Sequence, residues 1–455
     1  MSSLALDYAY RYQYASEFIG SAGRSRLRLA TFGGHLLNPY FFEGRLVRPR
    51  RTADLLRALM EIVHSRFHIP AAMLARIKAL ADPVVTSSDN RLRFEGFSGC
   101  CSAYARVDLL PEAVDGESFG RGTTNVDFNA PMLTALARIR DTDTVALSVG
   151  TGEVRLDHGD EAIIEKKVAL PVRWLKGFVE VQAYQSRMQL VHDVGGVEGL
   201  RFLRSIPRTV SKHPSWIVPS GRGLRLSQVA SRDGVQVAGM ERVRVLENLM
   251  PLARQLRIFG DRTTGTAGFE LVLDEARFHL VLSPDVWRGF SGEGQALTSL
   301  ASGEWEQAIP VVRKTLKWDA TIDAEAIVRK SGLAPEIVRG ALAALGARGL
   351  VGFDLEAQSY FHRELPFDLS LLDEHQPRLK DARKLIAEHK VRLGALVDEQ
   401  QELFVAGTDV EHRVRVSPAG SKCTCPWYSK HQGDRGPCKH ILAAQMFMDA
   451  SEAQR

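Results

Sequence analysis

Three of the five cysteines of this 455-residue chain fall within eighteen residues near its end: Cys423-Thr424-Cys425, twelve intervening residues, then Cys438-Lys439-His440. Thiolates and imidazole are the donors that Zn²⁺ favours, and three Cys with one His complete a tetrahedron. Four protein donors leave no open position for water or substrate, so the chemistry is structural rather than hydrolytic. Buried or redox-active thiols without a metal are the competing reading, and four donors at matched spacings argue against it. His412 and His431 are the lesser candidates for the fourth ligand.

The surrounding residues supply elements that would aim these donors. Residues 413–416 alternate Arg-Val-Arg-Val as a strand does, and Ser-Pro-Ala-Gly at 417–420 is turn chemistry. The next strand would carry Cys423 and Cys425 on one face, because residues two apart in a strand point the same way. Pro437 then leads into a helix bearing Cys438 and His440 at its start, with Ile441, Leu442 and Met446 behind them. Such a module is too small to hold a core without its metal.

The same stretch is cationic: residues 413–440 hold six Lys or Arg and a single acid, Asp434. Arg413, Arg415, Lys422 and Lys439, with Trp427 directly after the second thiolate, have the chemistry of phosphate contact and base stacking. Trp427 could equally pack beneath the hairpin as its small core.

The Cys-x-Cys…Cys-x-His pattern resembles the SWIM-type zinc finger, with Cys423, Cys425, Cys438 and His440 at its four ligand positions in order. The long N-terminal part resembles bacterial proteins that carry such a finger at their C-terminus. The resemblance implies a finger that binds DNA or protein. It further implies, for some bacterial members, partnership with AAA+ ATPases of the MoxR type and von Willebrand A-domain proteins.

Composition excludes several classes. Hydrophobic residues at 45% and charged residues at 25% are ordinary globular values, which rules out wholesale disorder. No apolar run approaches the roughly 18 residues needed to span a bilayer, and the first ten residues lack the regions of a signal peptide. Few cysteines in a long chain point to a reducing compartment, and the expected location is the cytoplasm.

No enzyme motif emerges. The chain has no Gly-x4-Gly-Lys-Ser/Thr loop and no His-Glu-x-x-His, and Gly96-Phe97-Ser98-Gly99-Cys100 misses the Gly-x-Ser-x-Gly elbow. Asp157-His158-Gly159-Asp160-Glu161 gathers acids around a histidine, but it reads as a polar hairpin turn. Cys100-Cys101 reads as core packing.

The net charge of +5 is unevenly spread: residues 201–257 hold eleven Lys or Arg against three acids. Arg222 and Arg225, in and beside the Pro-Ser-Gly-Arg-Gly loop at 219–223, are its candidate contacts for nucleic acid or another polyanion.

The predicted fold class is α+β and multidomain. An N-terminal α+β region spans 1–115, with strands at 26–31 and 40–47 and helices at 52–67 (Thr52 as its N-cap) and 71–81. Tyr8, Tyr10, Tyr12 and Tyr14 alternate there as one face of a strand. A central region, 116–310, reads as duplicated helix–strand–strand units joined by the basic linker 201–257. Its signature is Pro171 and Trp174, echoed 113 residues later by Pro284 and Trp287. The order resembles the repeated subdomains of DNA sliding clamps. Residues 311–367 read as a winged helix, but only Arg339 and Arg348 would reach bases, so a structural or protein-contact role is expected. A helical connector, 368–402, precedes the ββα finger at 403–455.

The expected function is that of a zinc-binding, non-catalytic protein that holds nucleic acid, protein or both. The alternative is an adaptor of a MoxR-type ATPase and von Willebrand A-domain system without nucleic-acid affinity.

Overall fold

The structure, a computed structural model, describes residues 40–452 except 66–82, 89, 127, 129, 151, 159–160, 167–169, 171, 212, 293, 302–304, 306–307, 366–375, 399, 408–409 and 418–419. Before residue 40 it describes the backbone of 20–21, 24–25 and 28–31. The tyrosine alternation at 8–14 and the helix expected at 71–81 lie outside the described residues.

The chain forms two units of mixed helix and antiparallel sheet. One comprises 1–171, 190–258 and 268–282; the other comprises 172–189, 259–267 and 283–455. Among the described residues no helix is long and apolar enough to cross a membrane.

Strands of the first unit form a six-stranded sheet and most of an eight-stranded one. Its helix Pro49–His64 begins at Pro49, not at a Thr52 cap, because proline suits the first helical position. Leu55, Leu56, Leu59, Ile62 and Val63 make its buried stripe, as their spacing predicts. In the eight-stranded sheet, Arg93 pairs across the strands with Asp108, and Arg106 with His279. All four side chains are buried. Burial alone would raise the Asp108 carboxyl, but the Arg106 and Arg93 guanidiniums, followed by His279, hold it well below the usual carboxylate range. Cys100 is also buried, with its sulfur 3.0 Å from Ser102 Oγ. His158 pairs with Glu161 across a hairpin and meets Asp143 at 2.7 Å.

The expected duplication parts company with the backbone in three places. Trp174 is buried in the helix Val172–Gln185, whereas Trp287 lies in a turn and is 74% exposed. Leu136-Ala137-Arg138 closes the helix Ala130–Arg138. Its echo instead ends a 3-10 turn, Met250–Leu252, in which Pro251 removes an amide donor. The two strand pairs also belong to different sheets.

In the second unit, helices Ala308–Thr315, Ala324–Ser331 and Pro335–Ala347 precede the hairpin Val351–Asp354 with Ser359–His362. The Asp323 carboxylate caps Ala324–Ser331 by accepting from Ala326 N, and Gly332 ends it at φ 70°. Val338, Ala341, Leu342 and Leu345 are buried in this segment's core.

The connector expected at 368–402 is only partly helical. Helix α1 (Pro377–Ala387) ends, His389 takes φ 50°, and the chain enters strand β1 (Val391–Val397). Strands β2 (Gln400–Ala406), β3 (Glu411–Ser417) and β4 (Gly420–Cys423) follow, giving one sheet in the order β1-β2-β3-β4. The boundary expected at 403 therefore cuts through β2. Helices α2 (Pro426–His431) and α3 (Lys439–Glu452) complete the chain. One face of the sheet packs Leu403, Val405, Val414 and Cys423 with Leu379 and Leu385 of α1 and Ile441 and Leu442 of α3.

Candidate metal centre and the sheet that carries it

Each donor sits where an element ends or begins. Cys423 closes β4, Cys425 caps α2, Cys438 immediately precedes α3, and His440 lies in its first turn. One ligand atom from each residue lies within 4.8 Å of all the others, and the four side chains are buried. His440 Nδ1 faces the thiols, 3.9 Å from Cys423 Sγ. The donor set fits Zn²⁺ in kind, number and spacing.

Backbone amides support the sulfurs: Cys425 N donates to Cys423 Sγ and Tyr428 N to Cys425 Sγ, both at 3.4 Å. Hydrogen bonds from Cys423 and Cys438 draw the Cys425 thiol down, and the same sharing with Cys425 drives Cys423 up. Cys438 is pushed up to about 11: its bond with Cys423 lowers it, but its bond with Cys425 and burial outweigh that. Loading the metal therefore releases protons from the remaining thiols.

Residues 412–444 match the SWIM zinc finger family. This segment is a SWIM zinc finger. Cys423, Cys425, Cys438 and His440 form its Cys₃His site for Zn²⁺. No curated protein matches the chain. Among solved structures, the proliferating cellular nuclear antigen of Entamoeba histolytica is similar at 10% identity and a TM-score of 0.37, over 54% of this chain and 99% of that one. A PCNA2–PCNA3 complex from Sulfolobus tokodaii is similar at 9% identity and the same TM-score of 0.37, over 54% of this chain and 100% of that one. At those scores the likeness supports no functional conclusion.

His412 stays out of the finger's ligand set; its ring lies 4.4 Å from that of His440. Burial, then the neighbouring His440, pushes it below the ordinary histidine range. His431 is also outside the set, with its ring 4.8 Å from Trp427. After burial, the cations Arg435, Lys430, Arg288 and Arg378 all push His431 down, which marks a positive local potential.

Several supporting residues carried no signal in the spacing of the motif. Thr424, between the two thiolates, locks them to β3: its amide donates to Arg413 O at 3.1 Å, and its Oγ1 accepts from Arg413 N at 3.0 Å. Arg378 of α1 donates to Arg435 O at 2.7 Å and Pro437 O at 3.0 Å, fixing the approach to Cys438. Gln295 Nε2 donates to Asp434 O at 2.9 Å, and its own amide donates to the buried Glu180 carboxylate at 2.8 Å. Gly436 has φ 75°, and a Cβ there would stand 1.9 Å from Gly294 O. The two glycines of the Gly-Asp-Arg-Gly stretch at 433–436 were the only hint of this tight approach.

The expected nucleic-acid contacts divide into groups. Arg413, Arg415 and Lys422 share the solvent-facing side of the sheet, because Arg415 is registered against both Glu402 and Lys422. Glu402 meets Arg415 at 2.8 Å and Arg413 at 3.7 Å. Arg392 and Phe404 lie on that face too, registered with each other and with Arg413. Lys439 instead pairs with Asp381 at 3.1 Å. Trp427 is half-buried against the finger's core, with the Arg378 guanidinium 4.7 Å from its ring. Arg222 and Arg225 are exposed in the other unit, at the turn and on the second strand of the hairpin Ser215–Ser220 with Gly223–Ser227. Not all of the basic stretch is surface: Arg242 is buried and donates to Ser102 O at 2.6 Å, and Arg244 binds Ile206 O and Glu247 at 2.8 Å each.

Proposed function

We propose that the chain is a zinc-structured, non-catalytic binding protein whose C-terminal sheet holds nucleic acid. The supporting observation is the outward face of β1–β4, where Arg392, Arg413, Arg415 and Lys422 outnumber Glu402 and Glu411. Helices α1 and α3 and the thiol cluster pack on the opposite face, so the metal's role would be to hold the sheet's geometry. Lys422 and Arg413 are exposed, and their cationic heads suit phosphate contact. Exposed Arg222 and Arg225 are further contacts in this reading. The segment 311–367 serves as a winged-helix-like structural element, since its helix Pro335–Ala347 offers a groove little beyond Arg339.

Titrating labelled single- and double-stranded DNA and RNA with the full protein at low and moderate salt tests the reading. The expected result is binding with a steep log–log salt slope, weakened in the triple variant Arg413→Glu, Arg415→Glu, Lys422→Glu. Absence of binding even at low salt overturns it. That outcome would favour the second reading, a protein adaptor. Its support is β1, the edge strand of this sheet among the described residues, where Leu393 is 52% and Leu396 70% exposed and an extended partner segment can add. An ATPase of the MoxR type or a von Willebrand A-domain protein is the candidate partner there.

A further inference from the structure

We propose that Arg392 is a stacking platform for an unpaired nucleobase, which makes the ligand of the finger's sheet a single strand. The inference rests on the nucleic-acid reading above and sharpens it. Arg392 is held in a fixed plane from two directions. Its guanidinium carbon lies 4.1 Å from the centroid of the Phe404 ring. Its edge is gripped by Glu411 through two parallel bonds, Nε to Oε1 at 3.0 Å and Nη2 to Oε2 at 2.7 Å. Phe404 in turn rests on Gly394, where an added Cβ would stand 2.8 Å from the ring. The stack therefore rises from backbone to ring to guanidinium, and the Arg392 side chain remains 60% exposed at its top.

This arrangement separates the roles on the face. Glu411 already neutralises Arg392, so what Arg392 offers is a flat, weakly hydrated surface rather than net charge. Nucleobases stack on guanidinium planes and aromatic rings when they are not stacked within a duplex. Arg413 and Arg415 lie on the same face two strand spacings of about 4.8 Å away, and Lys422 three, where the phosphates of the same strand would run. A duplex would offer those cations its phosphates but would leave the platform bare.

The test measures binding of a labelled single-stranded oligonucleotide, and of an abasic oligonucleotide of equal length, to the full zinc-loaded protein. Wild type is compared with Arg392→Ala and Arg392→Lys, with zinc content and circular dichroism confirming that each variant folds. The expected result is a loss on the order of tenfold in both variants with the base-bearing strand; in Arg392→Lys, which keeps the charge, the salt slope is unchanged and the abasic strand loses little. Arg392→Lys keeps the charge and removes the plane, so full affinity in that variant overturns the platform. So does equal wild-type affinity for the two oligonucleotides. Either of those results leaves the nucleic-acid reading standing if Lys422→Glu still weakens binding. No binding of any oligonucleotide at low salt overturns both.

Discussion

Arg378 lays its guanidinium 4.7 Å from the centroid of the Trp427 indole, and the same group donates to Arg435 O and Pro437 O. One side chain from α1 thus clamps both sides of the zinc site: the residue that follows two of its thiolates and the loop that delivers the third. Arg378→Ala should lower zinc affinity about tenfold, the scale of lost outer-shell support. Arg378→Lys should recover little, because an ammonium cannot serve two carbonyls and a ring face together. Competition against a chromogenic chelator reads both, and wild-type affinity in the alanine variant would refute the clamp.

Cys425→Ser should release the metal and unfold the finger with it. Cys425 caps α2, and its sulfur accepts from Tyr428 N; a serine hydroxyl can still cap the helix, so the loss is the thiolate ligand itself. Metal analysis should find no stoichiometric zinc, and circular dichroism should show loss of helix. A full equivalent of zinc retained by this variant would contradict the ligand assignment.

Two glycines three residues apart should respond very differently to alanine. Gly433 has φ 93° with open space around it, so Gly433→Ala costs only backbone strain, about 1–2 kcal/mol. Gly436→Ala adds a collision with Gly294 O at 1.9 Å, and the rigid backbone on both sides cannot yield cheaply. It should destabilise by more than about 3 kcal/mol. Chemical denaturation of the two variants orders them, and equal losses would show that the 294–436 approach is not tight.

Much of this site was legible in the sequence. Cys423, Cys425, Cys438 and His440 announce themselves because metal ligation needs particular residue types at particular offsets. The β3–β4 hairpin followed from the Arg-Val-Arg-Val alternation, and the start of α3 from Pro437. The strand β1 was not legible: Leu385, Ile386 and Leu393 continue a helical spacing, and only pairing with β2 makes 391–397 extended. Arg378 and Gln295 act through backbone carbonyls, and nothing in an arginine's or glutamine's identity says which distant carbonyl it will meet. The echo of Trp174 by Trp287 was real in letters and absent in burial, because a short Pro-x-x-Trp match does not specify helix or turn.

Asp108 should make the first unit acid-labile. Its folded pKa is depressed, so it contributes stability that is present above its unfolded value, about 3.9, and lost as pH falls toward the folded value. Asp108→Asn removes that dependence and strands Arg93 and Arg106 in the interior, at a cost of about 3–5 kcal/mol. Denaturation followed from pH 7 down to pH 3 should show the wild type losing stability more steeply than the variant. Parallel curves would mean that Asp108 is not the titrating group.

The Gln295 bonds to the 433–434 carbonyls span well over a hundred residues, and their consequence concerns modularity. Residues 412–444 are the part of the finger that other sequences share, yet β1, β2, α1 and the Gly294–Gln295 corner all lie outside them. A graft limited to the shared segment would carry the ligands but leave behind their scaffolding. The finger behaves less like a cassette than like one side of a joint, stable only with the residues that receive it.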